Sequence, residues 1–398
     1  MNLIQKTIMA PLIGPALLAA GQELSIAGID IGGPNSLSIR VEGDQPNRYN
    51  VTQLEARSAI GLPWYLVSTG MANSRGSLSF DLAMENESPT AIYRAKRLTD
   101  VVRPPESRWD QFEGFEQERQ FAFVGPDNMR VAYFDAGEGD PVVFLHGVYV
   151  WSYVWRDYFE ALVNAGRRVI AIDLPGFGFS DRPVDSESFS IDRTSAWIRE
   201  MVVDELDLEN AVLVGHSFNA DAAIHVAMGA TDRVSGLVVI GGSLFDGSDP
   251  QVQGGFVGVV GNLRHSPSLA PSDVLNFFGL TEGPLSQSEA SAFNAPYLNG
   301  IEFRSGWIGA SQMKLMEPDD QQAASQRDAW SDLQESDLPL LVISSDFWAE
   351  GDWPERFRTV PGAQGQPHRH FEGDVGNPEI DFADEVRGLI VDWVSSID

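Results

Sequence analysis

Ser217 stands in the setting best suited to chemistry. It lies in Gly215-His216-Ser217-Phe218-Asn219, after the apolar run Val212-Leu213-Val214 and before a helical pattern over Asn219–Met228. A serine on a tight strand-to-helix turn projects above a sheet edge. There the helix amino terminus and the next residue's amide, on Phe218, face an oxygen that turns negative during acyl transfer. Gly215 leaves room for the turn. Asn219 stands where glycine is usual, and asparagine tolerates unusual backbone angles better than most residues. Upstream, the apolar run Pro141–Leu145 ends in His146-Gly147-Val148, which places the Val148 amide as a second oxyanion donor. His146, at a strand end, reads as structural. Gly176-Phe177-Gly178 lacks the third glycine and the later acidic residue of a dinucleotide loop.

The elements that must position these residues follow from periodicity. Val142–Leu145, Arg168–Ile172, Ala211–Val214, Gly236–Ile240 and Pro339–Ile343 are short apolar runs suited to strands buried on both faces. Helical segments such as Thr194–Leu206 alternate with them, as in a βαβ sheet. The Gly/Pro/Ser-rich stretch at about 244–336 interrupts the alternation and is too long for a plain loop, so it reads as a lid. Residues 22–115 have a different texture. Ser25–Ile31, Ser36–Val41, Trp64–Ser68, Ser77–Leu82 and Ala91–Arg94 read as short strands, and Arg103-Pro104-Pro105-Glu106-Ser107 as a linker. The expected organisation is an apolar segment at 1–21, a smaller β-rich domain and linker over 22–115, and an α/β domain over 116–398. That domain has a mostly parallel central sheet flanked by helices, with a helical lid.

Composition excludes several functions. The 398 residues carry 57 Asp+Glu against 27 Lys+Arg, a formal net charge of −30, which argues against nucleic-acid and anionic-membrane partners. Lys6, Lys96 and Lys314 are the only lysines. Zero cysteines exclude disulfides, thiolate metal sites and a cysteine nucleophile. No stretch has the ~20 continuous apolar residues of a membrane span. Thr7–Ala20 resembles a signal-peptide core, but Pro11 and Pro15 interrupt it. The expectation is a cytoplasmic protein, or a secreted one if residues 1–21 are a signal peptide.

The serine turn, the His146-Gly147 strand end and Asp173-Leu174-Pro175-Gly176-Phe177-Gly178, in this order and spacing, resemble the α/β-hydrolase superfamily, haloalkane dehalogenases most of all. The resemblance covers roughly 117–398. Ser291-Ala292-Phe293-Asn294-Ala295-Pro296-Tyr297 resembles part of the dehalogenase cap. Dehalogenation itself is not implied. That chemistry wants an aspartate nucleophile followed by tryptophan, and an asparagine after His-Gly; here Ser217, Phe218 and Val148 hold those places. A serine implies an ester-type acyl-enzyme.

The family order Ser, acid, His leaves the partners open. One alignment makes His370 the base, with His368 as a variant. Another sets Gly376 at the base position. For the acid, Asp346 is nearest the family position, with Glu350, Asp352 and Asp246 as alternatives. The leading expectation is a serine hydrolase without metal or cofactor, acting on a small apolar ester, thioester or lactone. Ser217 is then nucleophile, His370 base and Asp346 orienter, with the Val148 and Phe218 amides as oxyanion hole. Phe256, Phe277, Phe278, Tyr297 and Trp307 are candidates to shape an acyl pocket. The alternative is a catalytically impaired homologue with a binding or assembly role. The sequence leaves the oligomeric state open.

Overall fold

The structure is a computed structural model. It describes the backbone of strands between residues 25 and 102, and most residues from 104 to 397; the main omissions there are 110–114, 184–188, 249–269, 298–315 and 349–351. The segment 1–21 lies outside the described residues. The chain divides into two compact units, Met1–Val101 and Val102–Asp398.

In the first unit two antiparallel three-stranded sheets are described. One orders Ser25–Gly33, Ser36–Glu42 and Ser77–Ala83; the other orders Tyr65–Met71, Val51–Arg57 and Ile92–Arg97. Val51–Arg57 has no counterpart in the sequence reading. Its residues, Val51-Thr52-Gln53-Leu54-Glu55-Ala56-Arg57, are mostly polar and carry no regular two-residue alternation of apolar side chains.

The second unit holds an eight-stranded sheet: β1 (Arg119–Val124), β2 (Met129–Ala136), β3 (Pro141–Leu145), β4 (Arg168–Ile172), β5 (Ala211–His216), β6 (Val234–Ile240), β7 (Leu340–Ser345) and β8 (Arg369–Phe371). The spatial order is β8-β7-β6-β5-β3-β4-β2-β1. Strands β3 to β8 pair in parallel, while β1 and β2 run antiparallel at one edge. β3, β5 and β7 are buried along their whole length, as apolar runs covered on both faces must be.

Helices α1 (Phe159–Asn164), α2 (Ile191–Arg199), α3 (Phe218–Gly229), α4 (Pro271–Phe277), α5 (Gln287–Asn294), α6 (Gln321–Glu335), α7 (Trp353–Arg358), α8 (Pro378–Asp381) and α9 (Ala383–Val394) are described. The segment read as the helix Thr194–Leu206 is α2 followed by π-helical turns over Glu200–Glu205. Helices α4 to α6 lie in the long connection between β6 and β7. Core groups grip that connection by its main chain. Trp151 Nε1 donates to Ala292 O at 3.3 Å, Arg182 donates to Pro296 O at 2.9 Å, and Asn377 Nδ2 donates to Leu280 O at 2.9 Å. Among the described residues no helix is long and apolar enough to cross a membrane.

Candidate active site

β5 lies in the middle of the parallel strands, and its carboxyl end carries the site. Ser217 joins β5 to α3 with φ 59° and ψ −135°, a conformation that non-glycine residues rarely hold. Its amide donates to Ile240 O at 2.8 Å. A side chain at Gly215 would begin 2.6 Å from Ala220 Cα, so the close crossing of helix over strand requires glycine there. The strained angle falls on Ser217 itself, not on Asn219. Asn219 lies inside α3, and its side chain donates to His146 O. The asparagine therefore ties the turn to the end of β3 instead of supplying an unusual backbone angle.

Ser217 is 1% exposed, and its Oγ makes no hydrogen bond. Val148 follows β3, the parallel neighbour of β5, and is fully buried. Among the described residues its amide makes no hydrogen bond. A buried N–H left open is rare in native structures unless it awaits a ligand or solvent. Phe218 opens α3, so its amide lies at the helix amino terminus.

His146 is fully buried. The Leu174 amide donates to its Nε2 at 3.1 Å, and its Nδ1 faces Gly147 O at 2.7 Å. Burial pushes its pKa down to about 4, so the ring is a neutral structural group. Asp173, after β4, accepts the Ser152 amide at 2.9 Å and the Phe179 amide at 2.8 Å; burial raises its pKa to about 6.

His370 and Asp346 lie elsewhere. His370 is in edge strand β8, paired with Ser344 of β7. Its Nε2 contacts Asp346 Oδ1 at 3.0 Å, and its Nδ1 contacts Ser344 Oγ at 3.0 Å. β8 is three strands from β5, roughly 14 Å at roughly 4.8 Å per strand. The structure thus brings His370 and Asp346 together and brings neither to Ser217 Oγ. Both His368 nitrogens are also committed: Nδ1 accepts from the Val342 amide at 3.1 Å, and Nε2 meets Ala363 O at 2.9 Å. His225 contacts Gln326 Oε1 at 2.8 Å, and His265 lies outside the described residues.

Among the other acids, Asp246 accepts from Ser248 and from Arg327. Asp352 precedes α7 with φ 54°, and Glu350 lies outside the described residues. Tyr297 is buried, with its hydroxyl accepting the Gly178 amide at 3.0 Å, so it packs the β6–β7 connection against the core. The side chains of Phe256, Phe277, Phe278 and Trp307 lie outside the described residues.

A contact without any local sequence signal lies under the turn. His216 Nδ1 is 2.9 Å from Glu379 Oε1, with both side chains wholly buried, and His216 Nε2 meets Gly376 O at 3.2 Å. A carbonyl only accepts, so Nε2 carries a proton. The Nδ1 approach to the carboxyl oxygen is a close polar contact without hydrogen-bond geometry. The two residues are 163 positions apart, and no local spacing links them.

The profile of the alpha/beta hydrolase fold matches residues 140–346, just over half of the chain. The chain belongs to the α/β-hydrolase fold family. Haloalkane dehalogenase 1 of Mycobacterium bovis is 31% identical to this α/β hydrolase over 306 residues, covering 74% of the chain and 98% of that protein. Haloalkane dehalogenase of Psychrobacter cryohalolentis is 28% identical over 305 residues, covering 74% and 98%. Two solved structures show the same fold. A tetrameric haloalkane dehalogenase from Paraglaciecola agarilytica aligns with TM-score 0.62 at 21% identity, covering 72% of this chain and 96% of that one. An esterase from Exiguobacterium antarcticum aligns with TM-score 0.56 at 18% identity, covering 70% and 100%. The sequence likeness to the dehalogenases supports a hydrolase, and the solved structures show the shared fold.

Proposed function

We propose that this α/β hydrolase takes an acyl group from an apolar ester, thioester or lactone onto Ser217. The carrying observation is the Ser217 hydroxyl: buried at the strained turn, bonded to nothing, and next in sequence to a helix amino terminus. Ser217 Oγ attacks the carbonyl, and the Val148 and Phe218 amides take the developing oxyanion. The alkoxide or thiolate leaves with a proton, and water releases the acid. Trp151, Tyr153 and Phe179 pack on one another and on Phe293 of α5, so the core beside the β6–β7 connection is apolar. The dehalogenase relatives do not carry their reaction over, because a serine nucleophile and Val148 replace the aspartate and the halide-holding asparagine.

A second reading, an acyl-binding homologue with impaired turnover, is favoured by the histidines: each described ring is committed away from Ser217 Oγ. A fluorophosphonate probe combined with a p-nitrophenyl ester assay separates the two. Labelling lost in Ser217→Ala, with ester turnover in the wild type, supports the hydrolase. Labelling without turnover supports the second reading. No labelling at Ser217 overturns acyl transfer. Slow turnover alone does not establish a complete triad, since an oxyanion hole and binding still give about 10³–10⁴-fold over water.

A further inference from the structure

We infer that His216 and Glu379 form a buried positioning pair that fixes the oxyanion side of the Ser217 site; the inference rests on Ser217 as the acyl acceptor. The His216 ring is a hub between three segments. On one side it packs so tightly on Gly147 that a Cβ there would lie 2.6 Å from Nδ1. Gly147 directly precedes Val148, the proposed oxyanion donor. On a second side Nε2 holds the carbonyl of Gly376. On the third, Nδ1 meets Glu379 at the start of α8.

The cost of this arrangement points to a purpose. Glu379 is 1% exposed, and neither carboxyl oxygen makes a hydrogen bond; the close contact to His216 Nδ1 is its described polar partner. A carboxyl desolvated that completely adds little stability over an apolar side chain of similar volume. Its effect is directional. The Glu379 contact sets which way the His216 ring faces, and the ring sets how far the Gly147-Val148 turn and the Gly376 loop stand from each other. Ser217, next in the chain to His216, is held in the same frame. Neither His216 nor Glu379 touches Ser217 Oγ, so their action is on the placement of the amide, not on the reacting atoms.

The experiment uses the full chain with Glu379→Ala, Glu379→Gln and Glu379→Asp. Two quantities are read: the fluorophosphonate labelling rate at Ser217, and hydrogen–deuterium exchange in peptides spanning 146–155 and 372–380. Glu379→Ala is expected to slow labelling about 10- to 100-fold, the scale of an ångström-size misplacement in a reacting site. It also speeds exchange in both peptides. Glu379→Gln offers an amide donor to Nδ1 and is expected to restore labelling to within a few-fold of wild type. Should the alanine variant not fold, Glu379→Asp, one methylene short, is expected to give the same loss in milder form. Wild-type labelling rates in folded Glu379→Ala or Glu379→Asp overturn the inference, whatever their melting temperature. If the wild type itself does not label, the acyl-transfer reading falls and exchange decides the pair alone. Faster exchange in both peptides supports it, and a change confined to 372–380 overturns it.

Discussion

At the scale of single residues, His146 gives the plainest test of how burial sets charge. Desolvation outweighs its hydrogen bond to Gly147 O and pushes its pKa from the usual 6.5 to about 4. A histidine held lower in the folded chain than in the unfolded one favours folding while neutral. That contribution is present above about pH 6.5 and lost as pH falls towards 4, on the order of 3 kcal/mol in all. Asp173 runs the other way: its pKa is raised to about 6, so the folded state takes up a proton more readily, and acidification from 6 towards 4 adds stability. The two offset each other over that range, so a stability curve hides both. Histidine-selective NMR resolves the ring directly, and the His146 carbon shifts should stay at neutral values down to about pH 4. A midpoint near 6.5 would show that the ring is not sealed as described.

At the scale of elements, the sheet edge at β8 hangs on Asp346. Its carboxylate accepts the Gly373 amide at 2.7 Å and contacts His370 Nε2, and these two contacts hold its pKa below the usual carboxylate value. The stabilisation is therefore present above the usual range and lost as pH falls through the lowered value. Asp346→Asn should lower the melting temperature at pH 7 by a few degrees or less, because the group is exposed. The gap to wild type should close in acid. An equal gap at pH 7 and pH 3 would contradict this account. Elements differ in how plainly the sequence marks them. β3 to β7 are apolar runs buried on both faces, and each was legible. β8 is Arg369-His370-Phe371, polar and at an edge, so periodicity did not mark it. β1 alternates exposed and buried residues and even exposes Phe123, so it blends into the linker before it. The Ser217 turn was legible because its determinants are local: strand, glycine, serine, helix. The loop over that turn was not, because its course depends on contacts with residues about 100 to 160 positions away, Leu280 and His216 among them.

At the scale of the whole molecule, the −30 charge dominates. Self-repulsion among 57 acidic groups opposes compaction, and salt screens it over a Debye length of about 10 Å at 0.1 M. Ion pairs such as Arg233–Asp207 and Arg369–Glu385 are at the surface, so screening costs little there. The melting temperature should rise between ~0.05 M and ~1 M KCl, concentrations on either side of that length. An unchanged or lower value in high salt would mean that attractive pairs, not net repulsion, set the balance.

Gly376 has packed itself into a corner. A Cβ at this position would lie 2.6 Å from Leu280 Cδ2 and 3.0 Å from Leu280 Cα. In evolutionary terms the two sites are epistatic: a histidine at 376 needs a compensating shift at Leu280, because a neighbour's backbone as well as its flexible tip crowds the position. Gly376→His alone should destabilise the fold and leave Ser217 labelling no faster. Leu280→Ala would clear the tip but not the backbone contact, so even the double change would require the cap segment to shift. Any sequence with a histidine at this place needs Leu280 seated differently, so the two positions have to change together.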